Sequence, residues 1–238
     1  MSTHSALSKN AFLPSGPRTP PVHSERTSAT DHGDVSLDRL MHFVGATIYY
    51  PRRMQIVHED QVADRLYKIL NGAVCTYKIL SDGRRQISSF YLPGDVFGLE
   101  SSREHTLGAE AITNVKLLII KKSALTELAK QRAATINELL QLTARELARA
   151  QERVLLLSSK SAQERIVGFL FEMSRRTPLT EDCVDLTMSR QDIADYLGLT
   201  IETVSRTLWA LQSSGAIEIA SRKRIALRDR SRLMRLYQ

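Results

Sequence analysis

The sequence predicts an α+β chain with three parts in order: an N-terminal β-roll, a long dimerisation helix and a C-terminal winged helix-turn-helix. Short β-like runs separated by turn residues fill residues 35–122. A stretch without glycine or proline follows at residues 123–159, and a capped helix pair and a hairpin lie within residues 160–238. These changes of pattern set the predicted domain boundaries.

Composition places the chain among ordinary globular proteins. Of its 238 residues, 42% are hydrophobic and 25% are charged. Two widely separated cysteines, Cys75 and Cys183, cannot build a disulfide framework, which predicts a reducing, cytoplasmic location. The sequence has neither an apolar run long enough for a membrane span nor the layout of a secretory signal, so we expect no membrane partner.

Residues 1–34 differ from the rest of the chain. They contain six serines, four threonines and four of the seven prolines, with few apolar residues between them. Such a segment buries too little surface to offset its ordering entropy. The sequence predicts a disordered N-terminal arm.

The β-like region is a series of apolar runs cut by turn chemistry. The runs cover residues 66–70, 73–80, 86–92 and 115–120, and the turns cover residues 71–72, 81–84 and 92–95. This spacing predicts an antiparallel barrel or roll of roughly eight strands. Cys75, on one of these strands, is predicted to be a small core residue.

The predicted long helix carries an apolar seam with alternating spacings of four and three residues. That spacing is typical of a helix that packs against a second helix, and we expect a homodimer seam. The alternative is a helix packed on its own roll. The seam residues are Ile136, Leu140, Thr143, Leu147, Ala150, Val154 and Leu157.

After a predicted hinge at residues 158–160, two helix starts and a turn predict a helix-turn-helix. Ser161 and Glu164 form a capping box, and a helix and a polar loop at residues 175–185 follow. Ser189 is expected to cap the first helix of the motif. Gly198 supplies the left-handed residue that ends it, and Thr200 caps the second helix.

Helical geometry sorts the side chains of the second helix. At about 100° per residue, the core face receives Ile201, Val204, Leu208 and Leu211. Glu202, Arg206 and Trp209 fall on the opposite side, with Ser205 beside them. An arginine fork matches guanine O6 and N7, and a carboxylate accepts from cytosine N4, so this face predicts base readout. The alternative is a surface salt bridge between Glu202 and Arg206.

The net charge of +7 is concentrated near the C-terminus. A β-hairpin wing is predicted over residues 217–227, with Arg222 and Lys223 at its tip, where they would contact DNA phosphates. A solvated basic tail is the alternative. The basic residues of this segment are Arg222, Lys223, Arg224, Arg228, Arg230, Arg232 and Arg235.

Over about residues 40–230 the chain resembles the Crp/Fnr family of bacterial transcription regulators. The resemblance implies a cyclic-nucleotide-binding-like roll, a palindromic operator read by a homodimer, and RNA polymerase as a partner. In the Fnr-type pattern Glu202, Ser205 and Arg206 would read a TTGAT half-site. The residues expected to position the DNA backbone are Ser189, Arg190, Thr200, Thr203, Arg222 and Lys223.

Departures from the family narrow the expectation to its FixK-like branch, whose members activate genes for microaerobic respiration and nitrogen fixation. No cysteine precedes Cys75, so a four-thiolate iron–sulfur cluster cannot form. Ile201 stands where the Crp-type helix has an arginine. The stretch at residues 97–100 lacks the Crp pattern, and His105 and Thr106 stand where an arginine would pair the phosphate, so cyclic AMP is not expected to bind. We expect no cofactor and no metal.

Three alternatives stay open at this point. One is a haem-dependent nitric oxide regulator of the same family, with ligands among His42, His58 and His105. Another is a cyclic-nucleotide-binding signalling module. An enzyme is disfavoured because the sequence shows no nucleophile–base pair, metal-ligand spacing or phosphate loop. Cys183 is a candidate for redox control, although its acidic neighbours disfavour the reactive thiolate.

Overall fold

A computed structural model describes residues 36–130, 133–180 and 182–237 of the chain. The predicted N-terminal arm, residues 1–34, lies outside the described residues. Within the described ranges an eight-stranded roll is followed by helices and a second, smaller sheet. The α+β class predicted from the sequence is confirmed.

The roll consists of two four-stranded antiparallel sheets with strand orders β1-β8-β3-β6 and β2-β7-β4-β5. Apolar side chains between them, such as Ile69, Val74 and Leu117, are fully buried. The strands are β1 (Ala46–Tyr50), β2 (Gln55–Val57), β3 (Arg65–Asn71), β4 (Val74–Ile79), β5 (Arg85–Tyr91), β6 (Val96–Phe97), β7 (Gly108–Ala111) and β8 (Val115–Lys121). The predicted number of strands is confirmed.

The β3–β4 turn needs a glycine. Gly72 has a φ of +84°, and a Cβ atom there would lie 2.3 Å from the Asn114 carbonyl oxygen. Both the left-handed backbone and the close approach exclude a side chain. This turn holds β3 and β4 in place, although the two strands belong to different sheets.

A short helix, α1 (Leu37–Val44), precedes the roll. The prediction of strands from residue 35 onward is wrong here, since Leu37, Leu40 and Met41 have helical spacing and are all buried. Leu37 and Met41 belong to the same apolar cluster as Leu118 and Ile120 of the roll. This amphipathic segment was overlooked because the turn signals further along the chain are typical of strands.

The predicted single helix at residues 123–159 is two helices, α2 (Lys122–Lys130) and α3 (Ala133–Ser159). Residues 131–132 between them lie outside the described residues. Leu125 and Ala129 of α2 are buried, with Leu125 in the same cluster as Leu118 of the roll. Because no glycine or proline marks the division, composition alone could not locate it.

Most of the seam predicted on α3 is exposed in the single chain. The exposed fractions of Leu140 and Val154 are 66% and 65%. Leu157 at the end of the seam is half-buried, while its neighbour Leu156 is buried. The helix therefore presents an uncovered apolar stripe that its own roll does not occupy.

The C-terminal part contains four helices and a four-stranded antiparallel sheet of order β11-β12-β10-β9. Its elements are α4 (Ala162–Arg176), β9 (Pro178–Thr180), β10 (Cys183–Asp185), α5 (Arg190–Leu197), α6 (Ile201–Ser213), β11 (Ile217–Ile219), β12 (Arg224–Leu227) and α7 (Arg230–Tyr237). The winged helix-turn-helix is confirmed.

Two elements of this part correct the sequence interpretation. The predicted loop at residues 175–185 contains β9 and β10, which complete the wing sheet: β10 pairs with β12, and β9 pairs with β10. The C-terminal residues form α7, not a solvated tail, because Leu233 is fully buried and the Tyr237 ring lies edge-on to that of Phe171. Both elements depend on partners distant in the sequence.

Candidate nucleic-acid interface

The first helix of the motif, α5, begins with a complete capping box. The backbone N–H of Asp192 donates to Ser189 Oγ at 3.1 Å, and the backbone N–H of Ser189 donates to Asp192 Oδ2 at 2.9 Å. The predicted cap at Ser189 is confirmed. The reciprocal bond from Asp192 satisfies a second free donor at this helix start.

The turn between the two helices depends on Gly198. Its φ of +62° and ψ of 40° place it in the left-handed region, as predicted. The backbone N–H of Leu199 donates to the Ala194 carbonyl at 3.0 Å, and the Leu199 side chain packs against the core. Arg165 of α4 donates to the Leu197 carbonyl at 3.1 Å. The angle between α5 and α6 is therefore held by local and distant contacts together.

The second helix, α6, is capped by Thr200, whose Oγ1 accepts from the backbone N–H of Thr203 at 3.3 Å. Val204, Leu208 and Leu211 are buried, which confirms the predicted core face. Ile201 is the exception, because its side chain is 37% exposed. Ile201 is the first residue of α6 and lies outside the edge of the core, whereas the buried residues of the later turns lie within it.

The opposite face of α6 is open to solvent. Glu202, Ser205 and Arg206 are all exposed. Among the ion pairs of the described residues, none joins Glu202 to Arg206 within 4.0 Å, so the alternative of a surface salt bridge is not observed. The Glu202 backbone N–H and the Thr200 hydroxyl lower the pKa of the Glu202 carboxyl, so it stays ionised to more acidic pH than an ordinary glutamate.

The residues predicted to contact the DNA backbone differ in exposure and in their hydrogen bonds. Arg190 is half-buried at the start of α5, and its Nη1 has no hydrogen-bond partner among the residues that the structure describes. Desolvation by burial lowers the pKa of Arg190. Ser189 and Thr200 are exposed and use their hydroxyls for capping, while Thr203 is half-buried.

The wing adds a basic tip beside the helix pair. Arg222 and Lys223 lie in the turn between β11 and β12 and are exposed. Ser221 Oγ accepts from the backbone N–H groups of Lys223 and Arg224, at 3.3 and 3.1 Å. These bonds fix the turn while leaving both basic side chains unobstructed.

The roll contacts the helix pair directly, which sequence reasoning missed. Gln86 Nε2 of β5 donates to the Asp195 carbonyl of α5 at 2.6 Å. Arg85 Nη1 lies 3.3 Å from Asp192 Oδ1 in the capping box. Arg153 of α3 donates to the Ile87 carbonyl and stacks over the Tyr196 ring at 4.5 Å. The sequence predicted a strand at β5, but it did not show that this strand contacts α5.

Comparisons with known proteins agree with this architecture. A family model described as a cyclic nucleotide-binding domain matches residues 47–132, and one described as a Crp-like helix-turn-helix domain matches residues 164–236. The nitrogen fixation regulation protein FixK of Azorhizobium caulinodans is 45% identical over 197 residues, covering 81% of this chain and 79% of that protein. The chain belongs to the Crp/Fnr family and is FixK-like.

Other proteins similar to this Crp/Fnr protein are also named FixK. FixK of Bradyrhizobium diazoefficiens is 38% identical, with 82% of this chain and 84% of that protein covered. The solved structure of FixK2 from Bradyrhizobium japonicum superposes with a TM-score of 0.78 at 45% identity, covering 82% of this chain and 98% of that one. The chain is therefore a DNA-binding transcription regulator, not an enzyme.

The roll of this Crp/Fnr protein holds a small cavity of about 110 Å³. That volume is below the roughly 300–1,000 Å³ typical of ligand pockets. Thr76 and His105 line it, and Thr76 Oγ1 and His105 Nε2 lack hydrogen-bond partners among the described residues. Its described lining includes no arginine or lysine.

The histidines considered as haem ligands occupy different settings. His105 is buried beside Glu100, with its Nδ1 hydrogen-bonded to that carboxylate. His42 lies on α1, and His58 follows β2 on the surface. Within the described residues, no group of three or more His, Cys, Asp or Glu side chains could hold a metal ion.

The two cysteines are unpaired and differ in burial. Cys75 is fully buried in β4, as predicted, and its Sγ accepts from Arg85 Nη2 at 2.9 Å. Burial raises the pKa of the Cys75 thiol to about 12. Cys183 is half-buried in β10 of the wing sheet. Redox control through Cys183 stays a prediction.

Of the helices in the described ranges, none combines the length and apolar character needed to cross a bilayer.

Proposed function

We propose that this FixK-like protein binds a palindromic TTGAT-type operator as a homodimer and activates transcription. The observation that carries the proposal is the outer face of α6, where Glu202 and Arg206 lie one turn apart, exposed and without an ion pair between them. Free side chains at the start of a recognition helix are available to base edges in the major groove.

Each residue of this face has a chemical role in readout. Arg206 donates two hydrogen bonds to guanine O6 and N7, and Glu202 accepts from the cytosine N4 amino group. An ionised Glu202 is suited to that acceptor role. Ser205 lies beside them and reaches a neighbouring base edge.

Contacts to phosphates position the helix in the groove. The unsatisfied Nη1 of Arg190 donates a hydrogen bond to a phosphate oxygen, and the phosphate charge offsets the desolvation of this side chain. Arg222 and Lys223 supply contacts from the wing. Ser189, Thr200 and Thr203 surround the helix starts, where backbone N–H groups also favour phosphate.

A homodimer follows from the stripe on α3. Leu140, Leu147 and Val154 are each about 60% exposed or more, which is costly for an isolated chain in water. A second copy of the same helix covers this stripe and presents two α6 helices to two half-sites.

The relatives suggest the genes controlled. Proteins named as nitrogen fixation regulators and anaerobic regulators match over most of the chain. We place this protein in control of genes expressed at low oxygen, including nitrogen fixation genes, with RNA polymerase as its partner at the promoter.

The test is operator binding by the Arg206→Ala variant. Loss of the guanine contact should cost about 1–3 kcal/mol on a TTGAT palindrome and relax preference at one base pair. Arg39→Ala, which removes an exposed arginine from α1, is the matched control and should bind like the native chain. Equal losses for Arg206→Ala on operator and random duplexes would contradict base readout.

A further inference from the structure

The recognition helix exposes a large aromatic side chain that the proposed readout does not use. Trp209 is the single tryptophan of the chain, and 70% of its side chain is exposed. Within the described residues its ring makes no aromatic or cation–π contact. Tryptophan is enriched at binding surfaces, because its indole combines a large apolar ring with an N–H donor.

Its position on the helix is specific. At about 100° per residue, Trp209 lies within roughly 20° of Glu202 around the axis of α6, on the side opposite Val204 and Leu211. It lies about 4.5 Å further along the axis than Arg206. Any duplex that meets Glu202 and Arg206 therefore also approaches the indole.

The surroundings of Trp209 favour DNA over a protein partner. Ser205 precedes it by one turn on this side of the helix, and Gln212 and Ser213 follow it, all three exposed. Protein interfaces usually have a contiguous apolar core, whereas Trp209 is a single apolar group within a polar face. In the major groove the one apolar feature of a base edge is the thymine methyl group.

We infer that Trp209 is a specificity-determining residue that packs its indole against a thymine methyl group next to the base pair read by Arg206. This inference rests on the proposed function, because it needs α6 in the major groove. The contact adds selectivity for an A·T pair that hydrogen bonds from Glu202, Ser205 and Arg206 do not supply.

The test is a cycle that combines protein variants with operators in which one thymine at a time is replaced by deoxyuridine. Uracil lacks the methyl group and keeps the same hydrogen-bonding edge. Trp209→Ala should weaken binding to the thymine operator about tenfold, the usual cost of one altered base contact. On the operator with the critical deoxyuridine, Trp209→Ala and the native chain should bind alike.

Trp209→Phe is the conservative variant and should retain most of the affinity for the thymine operator. The native indole also reports the contact directly, because a change in its fluorescence on operator binding has no other tryptophan as its source. Unchanged thermal melting of Trp209→Ala would show that the fold is intact, as expected for an exposed side chain.

Three results would overturn the inference. The first is an equal loss for Trp209→Ala on thymine and deoxyuridine operators, which would indicate a phosphate or sugar contact. The second is no loss at all. The third is a change in dimer formation without a change in half-site preference, which would assign the indole to a protein contact. Arg206→Ala separates the two proposals: if it loses operator selectivity while Trp209→Ala does not, the proposed function stands and this inference fails.

Discussion

Arg176 Nη2 of α4 lies 2.8 Å from Asp95 Oδ2 in the turn between β5 and β6. The other Asp95 oxygen lies 3.0 Å from Arg149 Nη2 of α3. One carboxylate therefore joins the roll, the long helix and the first helix of the DNA-binding part. Arg176 also donates to the Phe90 carbonyl at 2.6 Å, so β5 is held at a second point.

Removing this carboxylate should destabilise the protein. Asp95 and Arg176 side chains are each 14% exposed, so Asp95→Ala leaves charged groups largely buried without their partner. We expect a loss of about 3 kcal/mol in the free energy of unfolding, measured by urea denaturation. Asp82→Ala, which removes a well-exposed ion pair with Arg84, is the control and should hardly move the midpoint. Similar midpoints for both variants would contradict the role of Asp95.

A charge placed in the α3 stripe should prevent dimer formation. Leu147 is 59% exposed in the single chain, and Leu147→Asp would place a carboxylate in the apolar centre of the proposed interface. Sedimentation should show monomers, and operator affinity should fall because two linked half-site contacts become one. Gln141→Asp adds the same charge to an exposed position off the stripe and should remain dimeric. A dimeric Leu147→Asp protein would exclude this seam.

The basic wing tip should contribute affinity without sequence preference. Arg222→Ala and Lys223→Ala should weaken binding to operator and random duplexes to a similar degree. The slope of log affinity against log salt should fall by about 0.9 for each phosphate contact removed. Titrations at several salt concentrations measure this slope. Loss confined to the operator would mean that the wing reads bases.

The two thiols should react very differently. Because burial raises the pKa of Cys75 to about 12, its reactive thiolate is almost absent at pH 8, and the side chain is also inaccessible. A thiol reagent should modify one cysteine in the native protein and two in denaturant. Cys183→Ser should abolish the native reaction.

The same raised pKa means that Cys75 lowers stability above about pH 9, where the unfolded thiol ionises and the folded one does not.

Cyclic AMP should leave thermal stability unchanged. The roll cavity is small, and its described lining lacks a cation for the phosphate. A ligand that binds the native state would raise the melting temperature by mass action. Operator duplex is the positive control for the same melting assay. Clear stabilisation by cyclic AMP would restore the cyclic-nucleotide alternative.

Local interactions explain the parts of the candidate site that could be predicted. Ser189, Gly198 and Thr200 act on backbone groups within a few residues, so their spacing in the chain is enough to locate them. The outward direction of Glu202 and Arg206 follows from helical periodicity alone. Ile201 was misplaced because periodicity gives the direction of a side chain but not where the core ends.

The order of elements, the caps and the polar face of α6 could be deduced from the sequence, since each depends on neighbours within one or two helical turns. Tertiary structure decided which segments find distant partners. Strands β9 and β10 need β12, helix α7 needs α4, and Gln86 needs the end of α5. The contacts of Asp95 with two helices also depend on tertiary structure, because they stabilise the protein only after folding has brought these groups together.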